Sequence, residues 1–192
     1  MNRKKISIAV SGDAGSFSEQ AGLDYAKEQN FEPDIQYAIH MEGVFESFKK
    51  NEAEFGILPI HNSITGPVKA SFQAMGRHNF AVVDFFGMQI QQCLLAKSSA
   101  TKKDIKKIVS YSVAINQCKK YLQKNFPDAQ IIEYEDTAKA AKDLAAGILG
   151  EDTAVIASQR SAEIHGLAIV AKNIQDQKEN LTTFIIIKNE KA

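Results

Sequence analysis

Short apolar runs alternate along this chain with longer stretches in which apolar residues recur every three or four positions. The continuous runs read as buried strands and the spaced patterns as amphipathic helices. The first run, residues 6–10, enters the turn Ser11-Gly12-Asp13-Ala14-Gly15-Ser16 and then a helix over 17–29. That helix opens Ser16-Phe17-Ser18-Glu19, a capping-box pattern with Ser16 as N-cap and Glu19 reaching back. Strands over 35–39 and 55–60 flank a helix over 41–51 that carries Val44, Phe45 and Phe48 on one face. A helix over 68–76 leads to strands over 80–86 and 88–95, and residues 102–107 read as a solvated basic helical turn. A short strand at 108–109 ends at Ser110-Tyr111-Ser112, and a helix over 113–125 follows, stopped by Pro127-Asp128. Next come a strand over 131–134 and a helix over 138–146 capped by Glu135-Asp136-Thr137. A strand over 154–157, a Ser158-capped helix over 159–165 and a strand over 167–170 complete this half. A polar segment, 174–179, leads to the last strand, 184–187.

Strands alternating with helices predict an α/β fold rich in parallel pairing. The pattern repeats about a midpoint near Phe85, which predicts two βαβ-type lobes. Residues 1–80 with 175–192 form the first and 81–174 the second, the final segment returning to the first lobe. An inter-lobe cleft is the expected place for a ligand.

Charge narrows the partners. Lys and Arg number 23 and Asp and Glu 23, so neither nucleic acid nor a membrane surface is expected. No apolar run is long enough to span a bilayer. The apolar stretch after the basic start Arg3-Lys4-Lys5 is too short for a signal-peptide core, which predicts a cytoplasmic protein. Cys93 and Cys118 have no metal-like spacing and read as reduced, partly buried thiols.

Three stretches carry candidate chemistry. The glycine turn before the first helix presents backbone N–H groups and a positive dipole end, suited to an anion, though Gly12 and Gly15 serve a tight turn equally well. Its spacing matches neither the dinucleotide fingerprint nor the P-loop. His61, Asn62 and Ser63 lie at the carboxyl end of a strand, where open α/β sheets place ligands, and a polar turn is the plainer reading. In Asn180-Leu181-Thr182-Thr183-Phe184, two adjacent hydroxyls stand at the mouth of a strand. Threonine also simply fits a strand.

Taken together, five ordered segments resemble the catalytic part of the prephenate dehydratase family over nearly the whole chain. They are Gly12-Asp13-Ala14-Gly15-Ser16-Phe17-Ser18-Glu19-Gln20-Ala21, Pro59-Ile60-His61-Asn62-Ser63 with Gly66, Ser110 through Gln117-Cys118, Glu135-Asp136-Thr137-Ala138, and Asn180 through Phe184. The resemblance implies two α/β lobes like a type II periplasmic binding protein with the active site between them. It implies catalytic roles for Thr182, Asn62, Ser110, Gln117 and Glu135, and substrate contacts from Gly15, Ser16, Phe17, Ser63, Gly66, Thr183 and Phe184. The implied reaction takes water and carbon dioxide from prephenate, a small dicarboxylate, to give phenylpyruvate, with no metal or organic cofactor. A homodimer is implied as well. Many relatives add an ACT domain that binds phenylalanine; ending at Ala192, this sequence is expected to lack it.

Two positions depart from the family pattern. Thr183 stands where the family triplet has arginine, and His61 where its Glu-Asn-Ser motif has glutamate. Threonine cannot supply the charge or the bidentate geometry of a guanidinium. Losing one preorganised donor costs about 2–4 kcal/mol of transition-state stabilisation, roughly a hundred- to thousandfold in rate. His61, able to be neutral or cationic, is the expected substitute, as anion ligand or proton donor. A non-aromatising prephenate decarboxylase and a non-catalytic dianion-binding protein are the alternative readings.

Overall fold

The computed structural model describes residues 3–98 and 100–190. Contacts divide the chain into two units. The first contains the described residues up to Asp13, then Phe17–Ile90, then the chain from Leu181; the second contains Ala14–Ser16 and Gln91–Asn180.

The first unit contains β1 (Lys5–Ser11), α1 (Phe17–Glu28), β2 (Glu32–Ala38), α2 (Met41–Lys49), β3 (Phe55–Asn62), β4 (Gly66–Pro67), α3 (Lys69–Met75) and β5 (Phe80–Gln89). The chain's last strand, β11 (Leu181–Asn189), belongs here too. The sheet order is β2-β1-β3-β11-β5, with β4 beside β3. β1 pairs parallel with β2 and β3, and β11 pairs antiparallel with β3 and β5. Strict alternation divides its apolar residues between two faces. Ile8, Val10, Ile57, Phe184 and Ile186 pack with Ala21 and Tyr25 of α1. Ala9, Leu58, Ile185 and Ile187 pack with Val44, Phe45 and Phe48 of α2. Both faces are covered, which is why β1, β3 and β11 read as continuous apolar runs. Gly56 lets α2 approach β3: a Cβ there would lie 2.6 Å from Val44 Cγ1 and 2.9 Å from Phe48 Cζ.

The second unit contains β6 (Cys93–Ala96), β7 (Lys107–Ser110), α4 (Ser112–Gln117), α5 (Lys119–Asn125), β8 (Gln130–Glu133), α6 (Thr137–Ala145), β9 (Thr153–Ala157), α7 (Gln159–His165) and β10 (Ala168–Ala171). The sheet order is β10-β6-β9-β7-β8. β7 runs parallel to β8 and β9, while β6 opposes β9 and β10. Two of the caps expected from the sequence, those of α6 and α7, are present. Asp136 accepts from the N–H groups of Ala138 and Lys139, and Ser158 from that of Ser161. Among the described residues, no helix is long and apolar enough to cross a membrane.

Several boundaries differ from the sequence reading, each for a visible reason. The second lobe was expected from residue 81, but β5 is paired with β11 as far as Gln89, so the division falls after Ile90. At the other end the division falls after Asn180 rather than before 175, because Asp176 and Asn180 hydrogen-bond to α4 and α5. The apolar run 88–95 is two strands rather than one, interrupted where the chain passes from the first unit to the second. The helix expected over 113–125 is broken at Cys118, and the Asp176 carboxylate accepts from the Lys120 and Tyr121 N–H groups at the start of α5. The basic segment 102–107 forms a turn closed by Thr101 on Asp104, and its last residue already belongs to β7.

Candidate functional site

In the first unit, the end of β3 meets the beginning of β11. Thr182 lies opposite Asn62, and Thr183 opposite His61. A register shift between Thr183 and Phe184 sets this alignment. Asn62 Nδ2 donates to Thr182 Oγ1 at 2.9 Å and approaches the Leu181 carbonyl at 3.4 Å. The other side of the amide is fixed too: Asn62 Oδ1 accepts from the N–H groups of Ile64 at 3.0 Å and Thr65 at 3.1 Å. With its oxygen committed to two donors, the amide has one sensible orientation. Thr182 Oγ1 therefore accepts from Asn62, and its own proton remains to be given elsewhere. Both side chains are 7% exposed. Ser63 ties the strands together, its N–H donating to the Leu181 carbonyl and its Oγ accepting from the Leu181 N–H.

The remaining expected residues of this unit take different stations. His61 is exposed and Thr183 half-buried, side by side across the two strands. Gly66 faces Asn62 with φ +78°, a conformation that favours glycine. Phe184 is 1% exposed and belongs to the core with Ile57 and Ile186, and Phe17 packs partly buried against that core.

In the second unit the expected residues divide into three places. Ser110 is fully buried, and its hydroxyl donates to the Ile156 carbonyl at 2.6 Å, which makes it a tie between β7 and β9. Gln117 joins a buried amide cluster: its Oε1 accepts from Asn180 Nδ2 at 3.0 Å and from Gln92 Nε2 at 3.1 Å. Glu135 is exposed, 3.9 Å from Lys139 Nζ, and stands just ahead of the α6 cap. Gly15, at φ +88°, gives its carbonyl to two hydroxyls, Ser158 Oγ at 2.6 Å and Ser161 Oγ at 2.9 Å. A Cβ on Gly15 would lie 2.5 Å from Ser161 Oγ, so a side chain is excluded there. Ser16 beside it is buried.

Sequence reasoning missed Gln92, Ser158 and Ser161 as partners of these residues. Gln91-Gln92 within an otherwise apolar run was the available signal, since a continuous buried strand has no place for two amides. The serines gave none, because hydroxyls that accept at a helix start look alike whether or not they also donate outward.

Cys93 and Cys118 are both buried, and burial pushes each thiol above its usual range. Asp143, a buried residue of α6, accepts from Lys139 Nζ at 2.7 Å and Tyr134 OH at 2.6 Å, which holds its carboxyl below the usual range. Among the described residues no group of three or more His, Cys, Asp or Glu is arranged to hold a metal ion.

The chain is an α/β protein with mixed sheets, and in its first unit polar residues collect where β3 ends and its antiparallel neighbour β11 begins. Comparison with known proteins is more specific: the sequence matches the family described as prephenate dehydratase over residues 8–192, and the chain belongs to that family. It is 31% identical over 189 residues to the arogenate dehydratase/prephenate dehydratase 2 of Arabidopsis thaliana, covering 98% of this chain and 48% of that protein. It is 30% identical over 184 residues to a bifunctional chorismate mutase/prephenate dehydratase of Aquifex aeolicus, covering 96% of this chain and 49% of that protein. The chain thus spans about half the length of these relatives. Its fold is that of the prephenate dehydratase of Arthrobacter aurescens solved with L-Phe, at TM-score 0.84 and 23% identity over 97% of this chain and 61% of that one.

Proposed function

We propose that the chain catalyses the conversion of prephenate to phenylpyruvate, with Thr182 as the group that meets the departing ring hydroxyl. The observation that carries this reading is the Asn62–Thr182 hydrogen bond, 2.9 Å long, at the meeting of β3 and β11. In the reaction the bond from the ring to its carboxylate breaks and carbon dioxide leaves. The released electron pair moves through the ring, and the opposite C–O bond breaks as the ring becomes aromatic. The departing oxygen needs a proton to leave as water. A threonine hydroxyl is too weak an acid to supply it unaided, so Thr182 orients the leaving group or relays a proton. Asn62, donating into Thr182 Oγ1, fixes the hydroxyl rotor so that its proton points away from Asn62. Gly15, Ser16, Ser63, Gly66 and Thr183 serve substrate binding in this reading, with His61 contributing anion binding or a proton. Ser110, Gln117 and Glu135 keep their family roles in it, and Phe17 and Phe184 support the binding residues from the core. A cytoplasmic homodimer acting on a small dicarboxylate completes the proposal.

Arogenate is the second substrate reading. The Arabidopsis relative is named for both activities. Arogenate carries an ammonium group where prephenate has a ketone, and Thr183 presents no fixed positive charge to repel it.

The test is turnover followed by NMR on prephenate and on arogenate. Phenylpyruvate above the acid-catalysed blank supports the first reading, and phenylalanine from arogenate the second. Thr182→Ala is expected to lower kcat about 10²–10³-fold, the scale of one preorganised donor, while Thr182→Ser retains most of the rate. A dihydro product that keeps its hydroxyl would mean a decarboxylase, and two intact substrates would overturn the enzymatic reading.

A further inference from the structure

We infer that Gln92 is a positioning residue for Thr182, acting through Gln117 and Asn180. The inference rests on the reading of Thr182 given above and adds a residue that no motif of the chain marks.

Three buried amides form the device. Gln92, Gln117 and Asn180 are 3%, 7% and 0% exposed. Gln117 Oε1 is the hub, taking one N–H from Gln92 and one from Asn180. The return contact, Gln117 Nε2 to Asn180 Oδ1, is long at 3.5 Å, so Gln117 and Asn180 are joined chiefly through that one oxygen. Asn180 precedes Thr182 by two residues, so the amide cluster fixes the chain on the near side of Leu181, whose own N–H and carbonyl are held by Ser63. The backbone of Gln92 is anchored at the same place: its N–H donates to Gln175 Oε1 and its carbonyl accepts from the Ile174 N–H.

One atom is out of keeping with a purely structural role. Gln92 Oε1 is buried and has no hydrogen-bond partner among the described residues. Exchanging the amide's oxygen and nitrogen does not help, because the carbonyl would then face the Gln117 oxygen. An unpaired buried acceptor destabilises the fold, and an apolar side chain of similar volume would avoid that cost. What the amide supplies in return is its N–H. A second donor to Gln117 Oε1 limits the positions that Gln117, and with it Asn180, can adopt.

The experiment replaces Gln92 by Leu and by Met in the full chain. Three quantities are measured: kcat and KM on the accepted substrate, the thermal midpoint, and backbone amide exchange at Leu181 and Thr182. Expected are a kcat lowered roughly ten- to a hundredfold, as for a misplaced catalytic group, and a KM within about twofold of the parent. The thermal midpoint should be unchanged or raised by about 2–4 °C, because the unpaired acceptor is gone. Exchange at Leu181 and Thr182 should be faster. An unchanged kcat with unchanged exchange would overturn the inference. So would a loss of rate that merely follows a fall in thermal midpoint, the sign of a structural amide. If the parent turns over neither prephenate nor arogenate, the functional reading fails, and the exchange rates decide the positioning role separately.

Discussion

His61 and Thr183 face each other across β3 and β11. The resemblance implied glutamate and arginine at these two positions, so both departures fall on one cross-strand pair. Directly opposed side chains couple, by about 0.2–1 kcal/mol in either sense. The four-variant cycle of Thr183→Arg, His61→Glu, their combination and the parent therefore tests whether the positions form one unit. Prephenate turnover of the double variant should exceed the product of the single effects; strictly additive effects would mean two independent changes. His61→Ala separately tests the histidine, and unchanged affinity and turnover would exclude it from the chemistry. The sequence made the residue types of this site legible: Asn62, Ser63 and Thr182 were all singled out, and they lie together. It did not reveal that His61 faces Thr183, because the register depends on the shift after Thr183, and a bulge leaves no distinct letter in the sequence. Nor did it show that the Ser110 hydroxyl is engaged by the Ile156 carbonyl, since a buried serine at a strand end looks the same either way.

At the scale of elements, packing and caps decide the outcome. Gly56 is where α2 rests on β3, and Gly56→Ala should destabilise the protein by about 1–3 kcal/mol through overpacking, read as a lower urea midpoint. Asp143 joins α6 to Tyr134 beyond the end of β8. Its pKa is lowered first by the hydrogen bond from Lys139 and then by that from Tyr134. A depressed carboxyl adds stability above its unfolded pKa, near 3.9 for aspartate, and that stability disappears as pH falls through the lower folded value. Asp143→Asn should therefore lower the thermal midpoint at neutral pH. It should also flatten the acid limb of stability against pH below about 4; an unchanged acid limb would assign acid sensitivity to other groups. Strands and caps were legible because Asp136 and Ser158 each stand directly before an amphipathic pattern. The break at Cys118 was not, because it depends on Asp176, a residue far along the chain that accepts from the N–H groups of Lys120 and Tyr121.

At the scale of the whole molecule, both thiols report on the second unit. Cys93 and Cys118 are buried with raised pKa values, so a thiol reagent near neutral pH should modify neither until that unit opens. Labelling should follow urea unfolding, and rapid labelling of the native protein would mean frequent local opening. The two-unit division itself was legible from the repeat of strand and helix, and its boundaries were not, because pairing with β11 rather than composition assigns β5 to the first unit. That late strand has a consequence for how the protein is made. Asn62 and Thr182 are 120 positions apart. A ribosome adding 5–20 residues per second needs roughly 6–24 s to travel between them. Once Gln89 has been added, and until β11 follows, the nascent chain carries β3 and β5 without the strand that will join them, with apolar edges exposed to every neighbour in the cell. Slow codons or scarce chaperones over this span would lower the yield of folded protein without altering a single contact in the finished molecule.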